Sequence, residues 1–217
     1  MISLKKFKKS LAFALFFILL ISSSCAGNVF ELKEDGSTGN LIDEENELYY
    51  IFCRGYLRAA GINSEPYAKV GSGRQRFFLH EIPGLEPSKW LSENIETEGV
   101  PFVFREKSVE EPTLADFEAE IIHITITGAI TLQVGSTRNQ NEITAIVNDF
   151  LYGAEVPAPD FIDPDLMFTL NFASQKYSGL YYILEYRVDH LGNNYLYCRW
   201  SNNLEGRWVL CSVDLLR

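Results

Sequence analysis

The chain has 217 residues, 47% hydrophobic and 13% aromatic, with 19 lysines and arginines against 29 aspartates and glutamates, a formal charge of −10. That much apolar material is ample for a buried core. The acid excess argues against nucleic acid as a partner, because phosphate binding needs clustered lysine and arginine, and against a polybasic surface for anionic lipid.

Lys5, Lys6, Lys8 and Lys9 open the chain, Leu11 to Ile21 is unbroken apolar, and Ser22-Ser23-Ser24-Cys25-Ala26-Gly27 comes next. A basic end, a short apolar run and small residues make an export signal. The run falls well short of the roughly 20 residues that span hydrocarbon. The small-small-cysteine order of Ser23, Ser24 and Cys25 resembles the lipidation site of a bacterial lipoprotein, with Ser22 where that family carries an aliphatic residue. The resemblance is confined to the leader and Cys25. It implies loss of residues 1–24, palmitate and further acyl chains on Cys25, and a membrane anchor in the bacterial cell envelope, on its periplasmic or surface face. One acyl chain anchors marginally and two or more hold stably, at about 0.8 kcal/mol per buried methylene. A cut after Ala26, with Ser24 and Ala26 as the small residues of an ordinary secretory site, is the competing reading. Loss of residues 1–24 removes four lysines and no acid, deepening the charge of −10 by four. Residues 25–40, rich in Glu, Asp, Gly, Ser and Asn, read as the lipidated N-terminus and a flexible tether. Residues 41–217 read as a single globular domain.

Within that domain, Leu48, Ile51, Phe52, Gly55 and Ala59 recur at three- and four-residue steps, which predicts a helix over Asp43–Ala60 with Asp43 as its N-cap. Residues 62–73 read as a loop, 74–82 as a strand, Ser88–Ile95 as a short helix after Pro87, and 100–105 as a second strand. Glu120–Val134 reads as one long strand. Ile122, Ile124, Ile126, Ile130, Leu132 and Val134 share one face and His123, Thr125, Thr127, Thr131 and Gln133 the other. Asn141–Tyr152 is an amphipathic helix stopped by Gly153.

From Asp165 onward the alternation predicts a four-stranded antiparallel meander, with a loop Leu191-Gly192-Asn193 that pairs Tyr186 with Cys198. A second loop, Asn203 to Gly206, sets Cys198 opposite Cys211. The predicted fold class is therefore α+β, an antiparallel sheet with two or three helices packed on one side.

Export permits disulfides, and Cys198–Cys211 is the candidate bridge. The competing reading is two buried thiols acting as small apolar side chains. A thiol nucleophile would need Cys53 beside His80, His123 or His190. The three histidines are scattered, and neither H-E-x-x-H nor C-x-x-C occurs, so no metal site is assigned. Gly71-Ser72-Gly73 precedes a strand rather than a helix and reads as a loop tip, not a phosphate cradle. Asp160, Asp163 and Asp165 read as a solvated turn rather than a calcium loop. The outward face of the meander carries Tyr181, Tyr195, Tyr197 and Trp208 beside Arg187 and Arg199, the composition of a binding patch or of a second packed layer. No catalytic residue and no cofactor are assigned. The expected function is a non-catalytic binding or assembly role at the membrane, with a protein, a glycan or a small ligand as partner. The alternative is an envelope hydrolase or thiol enzyme whose site assembles from distant residues.

Overall fold

The fold is that of a computed structural model, which describes residues 29–53, 55–71, 76–94, 102–127, 131–159, 167–198 and 206–216. The leader, Cys25, the aspartates at 160, 163 and 165, and Arg199 lie outside the described residues.

In chain order come β1 (Phe30–Glu34), β2 (Leu41–Asp43), β3 (Leu48–Phe52), β4 (Leu57–Ala59), β5 (Pro66–Val70), β6 (Phe77–Glu81), β7 (Trp90–Glu93) and β8 (Val103–Glu106). All of these except β4 close a seven-stranded barrel in the order β1-β2-β3-β8-β7-β6-β5. Its pairs are antiparallel save one, the parallel β1–β5 seam that sets Leu32 beside Val70. Beyond the barrel come β9 (Ile121–Thr127), β10 (Thr131–Thr137), α1 (Gln140–Tyr152), β11 (Glu155–Val156), β12 (Met167–Ala173), β13 (Leu180–Val188), β14 (Asn194–Cys198) and β15 (Arg207–Leu210). They build an antiparallel sheet of order β10-β9-β12-β13-β14-β15-β11, with β4 alongside the first half of β13.

The predicted α+β class is corrected. The protein is mostly β, a closed barrel and a second sheet, and among the described residues it holds one helix. The helix expected over Asp43–Ala60 is three strands. Asp43 does act as a cap, accepting from the backbone N–H of Glu45 and Asn46 at 3.1 Å each, but what it caps is the β2–β3 turn, which leaves through Glu47 at φ 56°. The Leu-Tyr-Tyr-Ile-Phe run of β3 is rich in aromatics and holds a β-branched residue, which suit a pleated surface better than a helix. The second expected helix is a single turn, closed by the N–H groups of Lys89 and Trp90 on the Glu86 carbonyl, before β7. In β7 both faces are buried, Leu91 toward the barrel interior and Trp90 toward the sheet, so no alternation marks it as a strand. The tether reading is corrected for residues 30–34, which form β1. Only Leu32 there is fully buried, so the segment looks polar in sequence. Likewise β5 lies inside the segment read as a loop. The long strand is a hairpin. Thr127 pairs with Thr131, and a bulge between Gln133 and Gly135 turns β10 so that Leu132 and Val134 stand exposed.

The helix expected at 141–152 is present. Asn139 caps it, accepting from the Asn141 N–H, and Ile143, Ile146 and Phe150 enter the core. The core is one large cluster between α1, the inner face of the sheet and the outer wall of the barrel, where Ile82, Trp90 and Val103 meet Phe172, Leu184 and Tyr186. Burying each such side chain contributes about 1.5–3 kcal/mol. A second, smaller cluster fills the barrel.

Candidate functional site: the outer face of the sheet

Inward residues of β13 are Leu180, Tyr182, Leu184 and Tyr186, which leaves Tyr181, Glu185 and Arg187 on the outer face. Cross-strand pairing sets Tyr197 beside both Glu185 and Trp208, and Tyr195 beside Arg187. The rings of Tyr197 and Trp208 stack with centroids 4.5 Å apart and planes 23° from parallel. The Arg187 guanidinium lies 5.3 Å from the Trp208 centroid and 6.0 Å from that of Tyr197. Glu185 holds it by an ion pair on the same strand, with Nε donating at 3.1 Å. Tyr195 meets Trp208 edge-on and donates its hydroxyl to Asp189 at 2.9 Å. The aromatic–arginine grouping expected from sequence is thus assembled, with one division. Tyr181 sits at the far end of β13, six residues or about 20 Å from Arg187, and belongs to a different neighbourhood.

Asp189 anchors the hairpin beneath this patch. Its carboxylate accepts from the backbone N–H of Leu191 and Asn193, the Asn193 side chain and the Tyr195 hydroxyl. Burial raises its pKa, and the hydrogen bonds from Asn193, Tyr195 and Leu191 outweigh that and bring it down to about 2. The same contacts correct the expected register. The Asp189 N–H donates to the Asn193 carbonyl, and Gly192, at φ 82°, takes the left-handed last position of the turn. The loop therefore begins one residue earlier than predicted, and Tyr186 pairs with Leu196 instead of Cys198.

Cys198 in turn pairs with Arg207, while the Cys211 N–H donates to the Asn194 carbonyl. Four residues, about 13 Å of strand, separate the two positions, and a disulfide needs Cα atoms within about 7 Å. The structure does not bring the candidate pair together. Cys53, Cys198 and Cys211 are buried. Burial, and behind it the Glu111 carboxylate, pushes the Cys53 thiol far up, and burial pushes Cys211 up to about 12. The charged neighbours of Cys53 are Glu111 and Arg105, a partly buried ion pair 3.7 Å apart, with Tyr56 hydrogen-bonded to Glu111. His80 is buried in β6 with Nδ1 2.9 Å from the Asn63 carbonyl, His123 lies on the outer face of β9, and His190 is in the β13–β14 turn. No histidine contributes to the shift at Cys53, and burial favours its protonated form.

Sequence reasoning missed Arg58. Read as the end of a helix, it instead sits on β4 opposite Tyr181, between the inward Leu57 and Ala59. The three-residue alternation Leu57-Arg58-Ala59 was the available signal. Open clefts of about 460 and 500 Å³ flank the sheet, one between β10, the start of α1 and the C-terminal segment, the other beside the β13–β14 turn. Of the two acids in the first, Glu142 accepts from the Thr137 hydroxyl at 2.6 Å and the Asn139 side chain at 3.0 Å, and Asp214 accepts from the Leu216 N–H at 3.1 Å.

Fold and site together define a mostly-β protein in which a small barrel and an antiparallel sheet share one core and the sheet's outer face bears aromatic and cationic groups. No protein-family model matches the chain, and no curated protein or solved structure does either.

Proposed function

We propose that this chain is a bacterial lipoprotein, held on the cell envelope by acyl chains on Cys25, that binds a partner non-covalently through the Arg187–Tyr197–Trp208 face. The observation that carries the reading is the ring stack with its arginine. Tryptophan, tyrosine and arginine supply most interface energy elsewhere, and rings already packed against each other lose little freedom on binding. The near-parallel Tyr197–Trp208 stack favours a glycan among the partner classes, because the C–H face of a sugar ring packs flat on the outer aromatic face of such a stack. The anchor adds geometry. β1 begins five residues after Cys25, a reach of at most about 18 Å, so the barrel rides close to the bilayer.

Two measurements test the proposal. Intact-mass analysis of the envelope-purified protein is expected to show a mature terminus at Cys25 with acyl mass, and Cys25→Ser is expected to move the protein to the soluble fraction. A free Gly27 terminus refutes the anchor. Co-sedimentation with purified peptidoglycan is expected to fall at least about tenfold in Trp208→Ala, the loss of one ring anchor. Equal sedimentation of wild type and variant refutes the face as a glycan site.

A further inference from the structure

Among the described residues, Arg58 has no counter-ion. Its neighbours Leu57 and Ala59 point into the core, so its half-buried side chain leaves on the outer face, beside Tyr181. Its Nε is sealed from solvent and makes no hydrogen bond. Burial alone lowers its pKa, with no carboxylate contributing, in a chain where acids outnumber bases by ten. On the other side of Tyr181, the His123 ring packs edge-on against the tyrosine at 5.9 Å, its Nδ1 also sealed and unpartnered. Ala173, paired with Tyr181 on the intervening strand, is small enough to allow that contact. Two nitrogens without hydrogen-bond partners therefore flank one tyrosine.

A guanidinium taken partly out of water without an acceptor is a standing cost to the fold. Two other partly buried arginines have a carboxylate: Arg105, whose Nε is also unpartnered, has Glu111 and the Val109 carbonyl, and Arg187 has Glu185. We infer that Arg58, Tyr181 and His123 form a receptor for an anionic group, a carboxylate or a phosphate, which the Arg58 guanidinium engages by charge-assisted hydrogen bonds. Such bonds are roughly twice as strong as neutral ones, and the terminal guanidinium nitrogens make them, since Nε is sealed from solvent. The site lies about 13 Å along β13 from the Trp208 stack, which is level with Glu185, and stands on separate observations, so either can fail without the other.

The test is titration of the purified protein with sodium phosphate and, separately, sodium acetate at constant ionic strength, monitoring the His123 ring resonances. A saturable shift is expected with one of the two anions, which names the class. It is expected to vanish in Arg58→Gln and persist in Trp208→Ala. The anion-free thermal midpoint of Arg58→Gln is expected to equal or exceed that of wild type, because an uncompensated charge has gone. A linear or absent response to both anions overturns the inference, as does an unchanged response in Arg58→Gln. A clear drop in its midpoint also overturns it, by showing that the guanidinium already has a structural partner.

Discussion

Among the described residues, eight buried side chains fill the barrel, including Leu32, Leu41, Tyr50, Leu79, Leu91 and Phe104, whereas twenty-five gather in the core beneath the sheet. The barrel closes on itself and leaves few unpaired strand edges. Among the described residues the sheet ends at β10, and α1 covers one of its faces. Strands of three to five residues around so small a core are marginal alone. The barrel avoids that by lending its outer wall to the larger cluster, since Trp90 faces the sheet while its neighbour Leu91 faces the barrel interior. The smaller region thus depends on the larger one, and the join between them is where both are most vulnerable.

The largest effect is expected at that join. Gly179 opens β13 at φ 93°, and an added Cβ would stand 2.3 Å from the Pro83 carbonyl oxygen and 2.8 Å from Ile82. Gly179→Ala is expected to cost about 3 kcal/mol or more in chemical denaturation, since both the backbone conformation and the space forbid it. Gly61→Ala, with nothing within 4 Å, is the control and is expected to change stability by less than about 0.5 kcal/mol.

Next comes Trp90→Ala, expected to cost about 3–5 kcal/mol. Hydrogen exchange is expected to show barrel and sheet amides losing protection together in this variant. A barrel that opens first while the sheet stays protected would break the claim of a shared core. Asn139→Ala, which removes the α1 cap and touches only the sheet side, is expected to cost about 1 kcal/mol by denaturant titration and to leave barrel exchange unchanged.

The smallest effect concerns the β13–β14 hairpin and appears only in acid. Asp189 is held at about 2, below the ordinary 3.8, so its charged-state contribution is complete above about pH 4 and disappears as pH falls toward 2. Thermal melts of wild type and Asp189→Asn are expected to run parallel above pH 4 and to converge below it. Curves parallel down to pH 2 would show that the carboxylate does not lock the turn.

Legibility in the sequence tracked strand length and the number of buried faces. β12 and β13, seven and nine residues buried on one face, announce themselves by alternation, and α1 by its stripe and the Gly153 stop. Of the barrel strands, β6 and β8 fall in the segments read as strands at 74–82 and 100–105, while the others were hidden, because three to five residues hold at most two periods and β7 is buried on both faces. Asp43 is the sharpest case. A side chain that accepts from the next N–H groups caps a turn as well as a helix, and only the residues beyond the cap distinguish the two. Tyr197, Trp208 and Arg187 were readable as a face because they alternate with core residues. Their stacking, the separation of Tyr181, and the pairing of Arg58 with it were not, since each depends on register or on a strand hidden by a false helix.

By itself, then, the amino-acid order determined the acid balance, the C-terminal meander and the helix α1, all local matters of composition and period. Tertiary structure decided the barrel, the parallel β1–β5 seam, the separation of Cys198 from Cys211 and the isolation of Arg58. Each of these depends on which distant strand lies alongside, and a shift of one residue in a turn moves every partner beyond it.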